Sequence, residues 1–255
     1  MLLIFDLKKI YAVLICATFL FAQSNEQPFI EKGDEAFSAF DNVKALENYQ
    51  QAVKINPQSY EANWKLSRAY VDVGETFEDE DKRAAYYKDS EKYARAAIEN
   101  DEDGSDGHLY LSIALGRVAL DAGAKQRIKM SKEIKKEADL AIKYNPDNDI
   151  AYHVLGRWNR KIANLSFIEK GFADLFLGGV PEGATNEAAV SNFKKAIELN
   201  PNYINHYLEL GITYEMMDKD DLAIQAFKKC LELGPSSAKD EEHKKTAREY
   251  LDDLM

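Results

Sequence analysis

The chain has 255 residues and a formal net charge of −11, with 33 Lys and Arg against 44 Asp and Glu. That balance excludes a protein that holds nucleic acid or anionic lipid by bulk charge, which requires a net positive surface. Two cysteines, Cys16 in an apolar N-terminal run and Cys230 far downstream, exclude a disulfide-built scaffold, so stability must come from packing.

In chain order, Lys8 and Lys9 precede an apolar stretch from Ile10 to Ala22, about the length of a signal-peptide core and short for a bilayer span. Residues 1–22 are therefore expected to be a signal peptide cleaved after Ala22, which places the protein in an exported setting, periplasmic or secreted. The alternative is a membrane anchor through residues 10–22, and membrane contact is expected only if that segment is retained. Residues 23–255 are expected to form a single helical repeat domain.

Hydrophobic periodicity and breaker residues predict paired helices at 28–40 and 42–55, 59–73 and 78–99, 106–121 and 124–144, 148–164 and 185–199, then 203–217 and 219–233. A charged helix over 238–254 follows as a capping element, of the kind a repeat array needs at its end. Five of these helices end alike: Tyr49, Ala52 and Pro57; Tyr93, Ala96 and Asp101; Ala138, Ala141 and Pro146; Phe193, Ala196 and Pro201; Phe227, Cys230 and Pro235. The closing positions are 44, 45, 55 and 34 residues apart, so the interior repeats are lengthened.

The last repeat shows the full pattern, with Tyr207, Leu210, Gly211, Tyr214, Ala223 and Phe227 preceding Pro235. This resembles the tetratricopeptide (TPR) repeat, a helical hairpin of 34 residues in which small residues let two helices approach and aromatics fill the space between them. The fold class expected is all-α: a TPR-like right-handed solenoid of about five hairpins. The fourth hairpin carries an insertion over 162–186, whose apolar residues, Phe167, Phe172 and Phe176 among them, recur at helical spacing before a Gly-Gly-Val-Pro stop. It is expected to form an inserted helix, and those three phenylalanines are a candidate interaction patch for self-assembly.

The remaining motifs carry little chemistry. His108, His153, His206 and His243 show no i,i+4 pairing, so no metal site is expected. The Asp101–Gly107 run has alternating carboxylates but lacks the glycine and distal Glu of a calcium loop, and reads as a polar turn. Lysines along 125–136 alternate with Glu133, Glu137 and Asp139 and read as a solvated face. With no nucleophile and base constellation, no enzymatic activity, cofactor or small-molecule substrate is expected.

A closer resemblance covers roughly residues 105–235. Leu155-Gly156-Arg157-Trp158, followed by Leu165, Glu169, Pro181, Ala184, Thr185 and Phe193, is similar to the regulator of microtubule dynamics family. The resemblance implies an α-helical adaptor. It transfers no binding residue, and the apparent export signal points to a bacterial exported relative. What the TPR resemblance implies is a concave face lined by the first helix of each hairpin, here by Trp64, Arg68, Val71 and Asp72, by Ile113 and Arg117, by His153, Arg157, Arg160 and Lys161, and by Leu208, Ile212, Glu215 and Met216. The expected groove, Trp64, Arg68, Arg117, His153, Arg157, Arg160 and Lys161, is basic and partly aromatic, suited to an unidentified protein or peptide with carboxylates. Oligomeric state is left open.

Overall fold

The computed structural model describes residues 25–120, 122–166, 169–171, 179 and 182–255. The expected signal segment and Phe167, Phe172 and Phe176 lie outside the described residues. Among the described residues there are eleven helices and no strand. They are α1 (Gln27–Ser38), α2 (Asn42–Ile55), α3 (Tyr60–Gly74), α4 (Glu80–Asn100), α5 (Ser105–Val118), α6 (Ala124–Tyr144), α7 (Asp149–Ala163), α8 (Asn186–Leu199), α9 (Ile204–Glu215), α10 (Asp220–Glu232) and α11 (Asp240–Leu254).

Each helix packs on the next, and α3, α5 and α7 also touch one another in sequence, the contact pattern of stacked hairpins. The hairpins start and stop by local chemistry. Asp41, Ser59, Asp79, Asn148 and Thr185 cap their helices by accepting from the backbone N–H three residues on, at 2.9–3.3 Å. α5 follows Gly104 and has no such cap; the Tyr60 hydroxyl of α3 accepts instead from the N–H groups of Asp106 (2.9 Å) and Gly107 (3.1 Å). Burial comes first among the causes that push Tyr60 up to about 12.

The repeat endings share one geometry. Asn56, Asp101, Asn145 and Asn200 donate their N–H to Ala52, Ala97, Ala141 and Ala196, and all four alanines are fully buried, as is Cys230. The second ending is therefore shifted by one from the sequence alignment: Ala97, not Ala96, is the inward small residue. Ala94 takes the aromatic's place, and Tyr93 stacks on Tyr70 at 5.5 Å. Burial pushes the Cys230 thiol up to about 11.

The two lengthened hairpins owe their length to α4 and α6, at 21 residues each against 14, 14 and 13 for α2, α8 and α10. Three basic residues of α6 have acidic partners: Lys135 has Asp139 (2.7 Å), Lys136 has Glu137 (3.0 Å) and Arg127 has Glu169 (3.4 Å). α11 closes the array against α9 and α10, burying Ala247 and Leu251. Among the described residues no helix is long and apolar enough to cross a membrane.

Candidate functional site

The inner helices present two clusters of charge, one on α3 and α5 and one on α7 and α9. In the first, the Trp64 ring stacks on Tyr110 with 5.6 Å between centroids and 5° between planes. The Arg68 guanidinium lies 3.6 Å from the Phe37 ring centroid and 5.3 Å from that of Trp64, and donates to the Tyr49 hydroxyl at 3.1 Å. Cation–π attraction and the hydroxyl hold this charge inside an aromatic cage. Burial works against the Arg68 charge, yet Tyr110, Tyr49 and Asp72 beside it keep its pKa above the ordinary value. Tyr49 in turn donates to Asp34 (2.7 Å), which also receives Lys65 at 2.6 Å.

Asp72 lies one turn beyond Arg68, partly exposed on the same face. Desolvation pushes its carboxyl up to about 6, against the lowering influence of Arg68. Glu75, at the end of α3, pairs with Arg117 of α5 and with Lys239, the residue before α11. That second pair joins the second hairpin to the C-terminal end of the chain. Tyr203, at the start of α9, feels Asp72 and Tyr110 after the desolvation that raises its pKa. The residues expected to line an open groove are thus tied to one another and to Lys239 by side-chain pairs.

In the second cluster Glu209 of α9 is the hub. Arg157 Nε lies 3.3 Å from its carboxylate, and Arg160 pairs with the other oxygen while donating to the Glu209 carbonyl (3.0 Å) and Thr213 Oγ1 (3.2 Å). Burial would raise the Glu209 pKa, but Arg157, Arg160 and Lys161 bring it below the usual carboxylate range. Lys161 is exposed, and its pKa is lowered by desolvation and by repulsion from Arg157 and Arg160.

His153 is buried and belongs to a polar chain in the core. Its Nδ1 is 3.0 Å from His206 Nδ1, and His206 Nε2 is 2.9 Å from Asp149 Oδ2. In the neutral tautomer of His206 that donates from Nε2 to the carboxylate, Nδ1 accepts and His153 donates. Burial first, then His206, Arg157 and Arg160, press the His153 pKa well below its ordinary value.

Of the residues expected to line the groove, Trp64, Arg68, Arg117, Arg157 and Lys161 keep surface in solvent. His153 and Arg160 are buried, at 5% and 8% exposure, because α9 supplies His206 and Glu209 to receive them. Sequence reasoning missed those partners, along with Glu75, Lys239 and Tyr203. The available signal was the acids at Glu75 and Glu209, which flank mapped inner positions and are the natural counter-charges of an inner row of arginines. A separate open depression of about 730 Å³ is lined by Glu31, Asp34, Glu35, Ser38 and Ala39 on and just beyond α1. Among the described residues no group of side chains could hold a metal ion.

This arrangement of hairpins is that of a tetratricopeptide-type helical solenoid. A thermophilic TPR protein of Thermus thermophilus superposes with a TM-score of 0.65 at 19% identity, over 89% of this chain and 98% of that one. Pseudomonas aeruginosa pilF does so with a TM-score of 0.54 at 15% identity, over 88% of each. The family model described as Regulator of microtubule dynamics protein 1-3 matches residues 29–255, and the chain belongs to that family. Regulator of microtubule dynamics protein 3 of Bos taurus is 28% identical over 214 residues, 80% of this chain and 45% of the relative. Regulator of microtubule dynamics protein 2 of Homo sapiens is 28% identical over 192 residues, 75% of this chain and 47% of the relative. The chain thus spans about half the length of these relatives.

Proposed function

We propose that this chain is a non-catalytic interaction module that holds an acidic segment of a partner protein on its concave face. The observation that carries this reading is the charge count around Glu209: three cations, Arg157, Arg160 and Lys161, crowd one carboxylate. The buried Arg160 belongs to the fold. Lys161, exposed and electrostatically crowded by the two arginines, is the cation an incoming carboxylate relieves most. The stacked Trp64 and Tyr110 rings supply a flat apolar surface farther along the inner row.

Fluorescence anisotropy with a fluorescein-labelled octaglutamate peptide tests the reading. Lys161→Glu replaces an exposed residue and is expected to weaken binding about tenfold, the worth of one charge-assisted contact. Equal affinity of the variant and the wild type would remove Lys161 and the acidic-ligand reading together.

A further inference from the structure

The bridge across the concave face is built from residues poorly placed for their own helices. Glu75 sits at the C-terminus of α3, where the helix dipole disfavours a carboxylate, and Lys239 sits at the N-terminus of α11, where it disfavours a cation. Local stability explains neither residue, whereas their pairing offsets both. The turn that presents Lys239 is firmly built. Asp240 is fully buried and accepts from the Ser237 N–H (2.7 Å) and from the hydroxyls of Ser236 (3.1 Å) and Ser237 (2.8 Å).

Exposure within the triad is uneven. The Glu75 side chain is 7% exposed, while those of Arg117 and Lys239 are 25% and 34% exposed. The carboxylate is enclosed, and the two cations that hold it face solvent. Arg117 and Lys161 both lie in the last turns of inner helices, α5 and α7, at the C-terminal ends of those helices.

Resting on the acidic-ligand reading above, we propose that Glu75 is a built-in occupant of a carboxylate-binding position formed by Arg117 and Lys239. It keeps the concave face bridged until an acidic segment of a partner protein displaces it. Binding and opening are then coupled: the ligand's carboxylate takes the two cations, and the link between α3 and the turn before α11 is released.

Two measurements on the full chain test this. Spin labels at Glu78→Cys and Ala238→Cys, both exposed positions, flank the bridge; Cys16→Ser removes one of the two native thiols, and the buried Cys230 stays. Electron–electron double resonance should give one narrow distance in the parent. Lys239→Glu should give a longer, broader distribution, and the Glu75→Lys/Lys239→Glu exchange should restore the narrow one. A distribution unchanged in Lys239→Glu overturns the bridge. Glu75→Gln, which keeps shape and removes charge, should bind the labelled octaglutamate about tenfold more tightly than wild type, the gain for a face closed about nine-tenths of the time. Equal affinity, with the distance lengthened in Lys239→Glu, overturns the competitive role. If neither protein binds the probe while the distances respond, the acidic-ligand reading fails and the bridge stands as a purely structural clamp.

Discussion

The first, fourth and fifth hairpins close the joint between their two helices with an aromatic ring, and the second and third close it without one. In α1–α2, α7–α8 and α9–α10 a glycine of the first helix faces an aromatic of the second: Gly33 against Tyr49, Gly156 against Phe193, Gly211 against Phe227. A Cβ on Gly211 would lie 2.4 Å from the Phe227 ring, and on Gly156 2.6 Å from that of Phe193, so these rings occupy the volume a side chain would take. In α3–α4 and α5–α6 neither helix contributes a large residue at this position. Ser67 and Ser112 stand in the glycine positions, and the aromatics give way to Ala94 and Ala138, both fully buried. The serine hydroxyls then need partners, and Ser67 finds Ser90 at 3.0 Å while Ser112 donates to the Ile134 carbonyl at 2.8 Å. The serine–alanine pair carries much less side chain than the glycine–aromatic pair, so these two joints are closed by small residues and hydroxyl hydrogen bonds and not by a ring.

The ring-filled joints should be the costlier to break. Phe227→Ala removes a fully buried ring that a glycine across the interface cannot replace, and about 3–5 kcal/mol of stability is expected to go with it. Urea denaturation measures this directly. A loss under about 1 kcal/mol would mean that the flanking helices collapse into the space and that the ring is not the joint's main filler.

The hydroxyl-filled joint should respond less and in a non-additive way. Ser67→Ala leaves the buried Ser90 hydroxyl without its partner and is expected to cost about 1–2 kcal/mol. Adding Ser90→Ala removes the orphan, so the double variant should be no less stable than Ser67→Ala alone. Strict additivity in a double-mutant cycle would show that the two hydroxyls do not depend on each other.

This contrast marks where the sequence could be read. The glycine and the aromatic are local signals, so the ring-filled hairpins were legible, and every described helix lies within three residues of its expected bounds. In the second hairpin Tyr93 drew the alignment onto itself, because an aromatic was expected at the joint. Only packing shows that Ala94 faces inward while Tyr93 stacks on Tyr70. The expected groove residues were legible as a row of inner-helix positions but not as a charge balance. Glu209 reaches Arg157 and Arg160, and Lys239 reaches Glu75, through the stacking of hairpins far apart in the chain, which no local pattern encodes.

The smallest expected effect lies in the turns of the first and last hairpins. Phe40 and Asp218, with φ of 62° and 55°, end α1 and α9 in the left-handed region, and no other non-glycine residue described does so. In both turns the next N–H reaches back five residues, Asp41 to the Ala36 carbonyl (2.9 Å) and Lys219 to that of Tyr214 (3.0 Å), which is the Schellman arrangement. Asp tolerates this conformation through its short polar side chain; Phe does not, and Phe40 is 44% exposed, so packing returns little of the strain. Phe40→Gly is therefore expected to raise stability by about 0.5–1 kcal/mol and the melting temperature by about 1–4 °C, with Asp218→Gly giving less. Thr76→Gly, in the α3–α4 turn, should lower stability instead. Its hydroxyl donates to the Val73 carbonyl at 2.7 Å, and its φ is not positive, so glycine would add chain entropy to the unfolded state without relieving any strain. If both substitutions shift the melting temperature the same way, relief of the left-handed backbone is not what Phe40→Gly changes.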